Sequence, residues 1–569
     1  MGIDVLASLP PGAEPATDVV TRKVFVNDTE LSNEVLLSQI TVNKSFNKVA
    51  YAKIIFLDGS ASDRDFQLSN DNKFKPGNTI KIQLGYHGDA ETVFEGIIVK
   101  HGIKVRQQSS SLLVIEAKDK AVKLTMARKS VYHINKTDSD VISDLASDLD
   151  TDIDPTTFPN KQLVQFDTTD WDFIVTRAEA NSMLVLTDDG KLVVKKPSTD
   201  SSPVLIATYG SNIWEFEAEM DARKQVKQVT SHSWDYTQQQ VEESDPGTAD
   251  FDDRSSSPSN DLSLSGAVNA LPGSGSSSAI DLGAVLNTEL KLNHSGHLSE
   301  TQLQNWSDAY MMRNHLLRIA GRVRIQGNPT VKPGNMITLA GVGDRFNGNV
   351  FVTGVLHYYD GSWKTDIQFG WRDEWFYKKE NVMDKPASGL LPGINGLQIG
   401  IVLDVDDTEE GGQYRIKVHV PIITSGNEGI WARVATLDAG DNRGVYFRPQ
   451  VSDEVVLGFL NDDPREAVVL GYLHSKDSRK SPLPEQDGML QYGVVTKEGM
   501  KLIFDDTNKR ITLLATTATG EKSITMNDDA SAIEIKDENQ NTIKMDSTGI
   551  TIQAGSGNVT IKGIKVMIN

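Results

Sequence analysis

Across most of the chain, apolar and polar residues alternate in short runs bounded by Gly, Asn or Asp, the pattern of half-buried antiparallel strands. Residues 24–26, 53–57, 79–83, 111–116 and 192–195 read this way. Three segments follow a helical period instead. In 138–149, Val141, Ile142, Leu145 and Leu149 fall on one face, and in 170–180 Trp171, Ile174 and Ala178 do the same. The third begins at Ser299-Glu300-Thr301-Gln302, which has the form of a capping box. It aligns Leu303, Trp306, Tyr310, Leu317 and Ala320 before stopping at Gly321. All three are expected to pack a core and not to hold a ligand.

Two stretches of the N-terminal half echo each other: FKPGNTIKIQLGYHGDAETVFEGIIVKHG from Phe74 and VKPGNMITLAGVGDRFNGNVFVTGVLHYYDG from Val331. Each reads as turn, strand, Gly-rich loop, strand, turn. Lys-Pro-Gly-Asn places Pro second and Gly third, which suits a type II turn leading into a strand. Such turns are common, but the shared pattern downstream predicts a duplicated β-barrel unit. The region 1–383 is therefore read as one N-terminal region built on two related units. Within it, 242–284 is too rich in Ser, Gly, Asp and Pro to fold alone and is expected to be a surface excursion. The stretch 384–396, DKPASGLLPGING, reads as a linker. Residues 397–473 then hold five strand candidates, at 400–405, 414–420, 430–435, 454–459 and 467–472, enough for a small Greek-key barrel of OB type. A neck follows at 474–498.

From 499 to 569 apolar pairs two residues apart recur: Leu502/Phe504, Ile511/Leu513, Ile524/Met526, Ile533/Ile535, Ile543/Met545, Ile550/Ile552, Val559/Ile561 and Ile564/Val566. Turn-formers such as Asp505-Asp506, Asn527-Asp528-Asp529 and Asp537 separate them, and Thr525, Glu534, Lys544, Thr551 and Thr560 occupy the polar positions between. Only one face of such strands is apolar. One chain would bury too little surface to offset backbone ordering, which costs ~1–2 kcal/mol per residue. Three chains around one axis would share the apolar face and pair strands between chains, giving a trimeric triple-stranded β-helix; a one-chain β-helix or two small β-hairpin modules is the alternative. Its core is expected to be Ile524, Met526, Ile533, Ile535, Ile543, Met545, Ile550, Ile552, Val559 and Ile561.

Composition narrows the function. No run approaches the ~20 apolar residues that span a bilayer, and the start carries no basic segment followed by an apolar core, so no cleavable signal is expected. With 57 Lys+Arg against 78 Asp+Glu, the formal charge of −21 disfavours nucleic acid and anionic lipid. The absence of Cys removes disulfides, thiol catalysis and thiolate metal sites.

The residues that point to a family lie in the barrel: GIVLDVDDTEEGGQYRIKV from Gly400, WARVATLDAGDNRG from Trp431 and PQVSDEVVLGFLNDDPREAVVLGYL from Pro449. Pro449, Asp453, Glu454, Val455, Phe459, Asp463, Pro464 and Gly471 resemble the barrel signature of the VgrG family of spike proteins and the related hub and spike proteins of contractile phage tails and extracellular contractile injection systems. TTDWDFIVTRAEANSMLVL from Thr168 resembles a helix of that family's hub, and KEGMKLIFDDT from Lys497 resembles the entry to its β-helix.

The resemblance implies a mostly β protein: a homotrimer that joins a threefold spike to a sixfold tail tube and punctures a target envelope when a sheath contracts. Tail-tube and baseplate proteins are the implied partners at the hub, with effector cargo as a further one and transient contact with the target membrane. A PAAR-type tip protein would dock on Ile564, Val566, Met567, Ile568 and Asn569. Assembly in the bacterial cytoplasm followed by expulsion is implied. Some relatives carry a lysozyme-like insert or a terminal toxin; the short join between Leu473 and Glu498 and the sequence up to Asn569 lead us to expect neither.

Catalytic patterns give little. Asp404-Val405-Asp406-Asp407 invites a calcium loop, but Glu409 and Arg415 stand where an EF-hand needs Gly and Glu, so a solvated acidic hairpin is expected. His294 and His297 lack a third ligand, and no nucleophile elbow occurs. No enzyme activity, metal or cofactor is expected. A cell-wall-degrading or glycan-binding trimeric tail protein is the alternative.

Overall fold

The computed structural model describes residues 19–248 and 287–567 apart from short internal stretches, the longest 409–413 and 484–489, so most of the Ser/Gly excursion lies outside the described residues. The chain divides into two compact units, 1–384 and 385–569.

Twelve strands of the first unit form two copies of one motif. The first copy comprises β1 (Thr21–Val26), β2 (Leu37–Ser45), β3 (Tyr51–Leu57), β4 (Thr79–Gly85), β5 (Glu91–Arg106) and β6 (Ser109–Lys118). The second comprises β7 (Leu205–Thr208), β8 (Ile213–Met220), β9 (Ile319–Gln326), β10 (Met336–Ala340), β11 (Gly348–Tyr359) and β12 (Trp363–Phe369). Strand order is β2-β3-β6-β5-β4-β1 in one and β8-β9-β12-β11-β10-β7 in the other. The echoed turns explain the likeness. Gly77 and Gly334 sit at φ +101° and +93°, where a Cβ is strained, as type II turns require. The N–H of Gly77 donates to Ile98 O at 2.8 Å and that of Ile98 to Asn78 O at 2.9 Å; Gly334, Val352 and Asn335 repeat these bonds at 2.8 and 2.9 Å.

Bulges recur at matching places too. Val99 is extra between the pairs Ile98/Ala117 and Lys100/Glu116, as Thr353 is between Val352/Phe369 and Gly354/Gln368. Ser38 on β2 and Trp214 on β8 are a second matched pair of bulges. The copies differ in their first strand, since β1 runs antiparallel to β4 whereas β7 runs parallel to β10. Within the chain they join where β2 lies antiparallel to the distal half of β11, with Thr41 opposite Tyr358 and Val42 opposite His357. Each copy has its own core: Ile40, Ile54, Ile80, Ile82 and Leu113 in the first, Val323, Ile337, Val352 and Ile367 in the second.

Insertions after β6 and β8 supply the helices α1 (Asp138–Leu145), α2 (Asp170–Ala180) and α3 (Glu300–Leu317). The expected capping box at Ser299 and Gln302 is formed, and Thr137 with Asp140 forms another on α1. A hairpin turn at Asp188-Asp189 ties the layers together. Lys44 reaches Asp188 and Asp189 at 2.7 and 2.8 Å, Lys332 reaches Asp188 at 2.9 Å, and the N–H of Glu95 donates to Asp189 at 2.8 Å. Burial alone would raise the Asp188 pKa, but the two lysines hold it below the usual range.

His357 makes the hub acid-sensitive. It is fully buried beside Lys44, and desolvation followed by that charge lowers its pKa from 6.5 to about 3. The native state keeps it neutral while the unfolded chain takes a proton below pH 6.5. Its stabilisation is therefore complete above pH 6.5 and is lost as pH falls toward 3, by roughly 1.4 kcal/mol per pH unit. Urea midpoints of a His357→Gln variant should fall less steeply with acidification than those of the parent.

In the second unit β13 (Gln398–Asp404), β14 (Ile416–His419), β15 (Ile430–Val434), β16 (Glu454–Phe459) and β17 (Ala467–Tyr472) close a barrel in the order β13-β14-β15-β17-β16. All five strand candidates of the sequence are present. Val402, Val418, Ala432, Val455, Leu457 and Val469 fill the interior.

Candidate functional site: the needle face

Seven further strands follow: β18 (Gln491–Val495), β19 (Lys501–Asp505), β20 (Arg510–Thr517), β21 (Gly520–Asn527), β22 (Ala532–Lys536), β23 (Thr542–Asp546) and β24 (Gly549–Gln553). Each pairs antiparallel with the next within the same chain. The expectation that strands pair between chains thus gives way to a meander, because tight turns return the chain directly onto its neighbour. Those turns are held by carboxylates. Asp505 accepts from the side chain and N–H of Asn508 and from Gln491, which holds its pKa below the usual range; Asp537 is lowered likewise by Asn541 and Asn539.

The register turns scattered pairs into two continuous columns. Phe504, Ile511, Met526, Ile533, Met545 and Ile550 stand directly opposite one another in succession. Leu502, Leu513, Ile524, Ile535, Ile543 and Ile552 form the second column beside them. All twelve are 36–69% exposed in the isolated chain, and the second column lines an open groove, whereas Thr512, Thr525, Glu534, Lys544 and Thr551 occupy the other face. A contiguous apolar surface of this kind marks an interface.

Eight of the ten expected core residues, from Ile524 through Ile552, lie in these columns. Val559 and Ile561 follow the last strand in a stretch without regular pairing, and both are exposed. Gly555 and Gly557 interrupt the pattern there. Ile564, Val566 and Met567 are likewise exposed outside any strand, while Ile568 and Asn569 lie outside the described residues. The sequence reading missed β18, whose Tyr492 and Val494 pair with Phe504 and Leu502 and extend both columns into the supposed neck. Their spacing of two carried the same signal as the later pairs.

The acidic run near Asp404 is engaged by arginines. Arg415 meets Asp407 at 3.0 Å, and Arg448 bonds to Asp406. His294 bonds to Gly296 O at 2.9 Å, and His297 lies outside the described residues. Among the described residues no group of three His, Cys, Asp or Glu could hold a metal, and no helix is long and apolar enough to cross a membrane.

Comparison with known proteins agrees with this division. Residues 16–360, more than half of the chain, match the Alg8 N-terminal domain. Residues 398–474 match the type VI secretion system/phage-baseplate injector OB domain, and 512–569 match the phage baseplate V C-terminal trimerisation domain. The type VI secretion system spike protein VgrG3 of Vibrio cholerae is 33% identical over 100 residues, 16% of this chain and 10% of the relative. The actin cross-linking toxin VgrG1 of Vibrio cholerae is 26% identical over 194 residues, 31% of this chain and 17% of the relative. The matched parts thus span less than a fifth of either relative. Among solved structures, a tail protein from Neisseria meningitidis aligns with TM-score 0.44 at 14% identity, covering 63% of this chain and 98% of that one. The E. coli c3393 protein, a component of the type VI secretion system, aligns at 0.38 with 13% identity over 79% of this chain and all of that one. At these scores the structural alignments carry no weight of their own.

Proposed function

Because the chain belongs to the family marked by the Alg8 N-terminal domain and is a VgrG-type spike protein, we propose that it acts as the homotrimeric hub and spike of a contractile injection system. The observation that carries this reading is the needle face, whose two apolar columns find no cover among the described residues and face the requirement for burial that a trimer meets. Two copies of one β unit per chain become six in a trimer. Six similar units let a threefold spike sit on a sixfold tube. The role is mechanical: contraction of a sheath drives the needle through a target envelope, and no side chain is assigned a catalytic step. Assembly takes place in the bacterial cytoplasm and delivery carries the spike outside.

The test uses the tube protein of the same system. The purified chain should cap one end of assembled tubes, and failure to associate with tubes that assemble normally would contradict the hub role. Ile564, Val566 and Met567, with Ile568 and Asn569, are assigned to docking a PAAR-type tip protein. Deleting residues 566–569 is expected to weaken tip-protein capture roughly tenfold or more, the effect of losing about 1.4 kcal/mol, without changing the chain's mass in solution. Undiminished capture would place the docking surface elsewhere.

A further inference from the structure

In the insertion after β6, the strands Arg128–Lys136 and Asn160–Thr169 pair antiparallel as a two-stranded ribbon. One face packs on α2: the buried His133 ring lies 5.7 Å from that of Phe173, and the buried Gln165 donates from Nε2 to Asp170 at 3.0 Å. The other face should be polar by the usual alternation of a half-buried sheet. Instead Tyr132 stands opposite Val164 and Ile134 opposite Gln162, with Phe166 two residues further along. Tyr132, Ile134, Val164 and Phe166 are 74, 51, 48 and 66% exposed. Four large apolar side chains on one strand pair form a patch that folded proteins seldom leave open.

The chain's own path leads to this face. Residues 249–286 lie outside the described residues, and the chain departs for them beside α3. The N–H of Thr248 donates to Asp308 at 2.8 Å, and a Cβ on Gly247 would stand 2.3 Å from Ser307 O. Earlier on α3, Gln302 donates to Asn160 at 3.3 Å, and Asn160 shares the alternation of Gln162 and Val164. The helix therefore abuts the near end of the open face. From Asp308 to Gln302 is about 9 Å along the helix, and from Asn160 to Val164 about 13 Å along the strand. Residues 249–261 reach about 40 Å when extended and bridge this with slack. Beyond them comes the run 262–271, LSLSGAVNAL, in which Leu262, Leu264, Val268 and Leu271 offer apolar cover. The later apolar run, 279–286, instead rejoins at Thr288, whose carbonyl accepts from Lys227; the adjacent Val226 bonds to Asn314, near the opposite end of α3. Charge also favours the first run. Residues 249–261 carry four Asp against one Arg, and Lys129 and Lys136 on the ribbon stay about half exposed despite their own ion pairs.

We propose that residues 262–271 of the same chain lie across the face formed by Tyr132, Ile134, Val164 and Phe166, with the acidic stretch before them passing the ribbon lysines. The Ser/Gly excursion is then a cover for a surface of the N-terminal unit and not an inert spacer. A segment too polar to fold alone can still bind here, because its tether holds it at an effective concentration of the order of millimolar and a weak contact suffices. One chain is enough for this contact, so it stands or falls apart from the trimer.

The chain has no cysteine, so a single Val164→Cys thiol reports on the face alone. Its reaction with a maleimide should be at least about tenfold slower in the full chain than when residues 249–286 are replaced by a Gly/Ser linker of equal length. Leu262→Asp with Leu264→Asp and Val268→Asp should release the same protection by point changes alone, which keeps the test valid if the replacement disturbs folding. A Tyr209→Cys thiol at the end of β7, an exposed position, should react alike in all three backgrounds. The slow rate should survive dilution by about a hundredfold, because cover and face belong to one molecule. Equally fast reaction in the full chain and both variants would overturn the proposal. Slow reaction in all three would overturn it as well, since something other than this segment then covers the face. Protection lost on dilution would also overturn it, and would assign the face to a second copy.

Discussion

An Ile535→Asp variant is expected to lose the folded needle while its hub keeps its fold. Ile535 lies at the middle of its column, opposite Ile524 on one side and Ile543 on the other. In a trimer it faces the shared core, where a carboxylate without a partner costs several kcal/mol, and symmetry repeats that cost in every chain. Its neighbours in the column, Leu513, Ile524, Ile543 and Ile552, are all apolar, although Lys522 and Lys536 also line the groove. Limited trypsin digestion should cleave at Lys522, Lys536 and Lys544 in the variant while the N-terminal unit resists. Ile535→Val, which removes one methylene, should cost only about 0.5–1.5 kcal/mol and leave the needle resistant. A carboxylate on the other face, as in Thr525→Asp, should change stability by less than about 0.5 kcal/mol. Equal damage from Ile535→Asp and Thr525→Asp would show that the columns face solvent in the assembled protein.

The second large effect concerns the ion pair inside the hub. Glu179 on α2 and Arg313 on α3 meet at 2.9 Å with side chains only 5% and 8% exposed. Glu179 also accepts from Asn47 Nδ2 at 2.9 Å and from the N–H of Phe376 at 2.8 Å, and Arg313 lies over the rings of Trp371 and Trp375. These contacts fasten the two insertions to the turn after β2 and to the segment after β12. Arg313→Ala leaves Glu179 charged and buried, so unfolding of the N-terminal unit should shift by roughly 3–5 kcal/mol in urea titration. Glu179→Gln combined with Arg313→Met removes both charges together and should cost distinctly less. A single-variant loss no larger than that of the double variant would mean that the charges are not what holds the insertions.

The sequence displayed most of the local architecture and little of the long-range pairing. Lys-Pro-Gly-Asn at 75–78 and 332–335 exposed the duplication because a glycine forced to positive φ leaves a mark in any sequence, and the matching bulges then followed in the fold. The barrel strands were visible because each alternates cleanly and ends at a turn. The junction of β2 with β11 was not, since more than 300 residues separate Thr41 from Tyr358 and neither strand names its partner. The needle shows both outcomes in one domain. Ile524 through Ile552 were picked out by their spacing and the register sets them in two columns, but the same spacing at Val559/Ile561 and Ile564/Val566 does not yield strands. Spacing reports which face a strand would bury; it does not report whether turn residues return the chain into register. Gly555 and Gly557 are where that condition fails.

Trimerisation is the premise on which the needle and the six hub units both depend. The most direct measurement is the mass of the intact chain in solution at micromolar concentration by light scattering after size exclusion. The account requires three times the 62.4 kDa chain mass, held constant on dilution through the micromolar range. A mass of one chain, with the needle still resistant to trypsin, would contradict it.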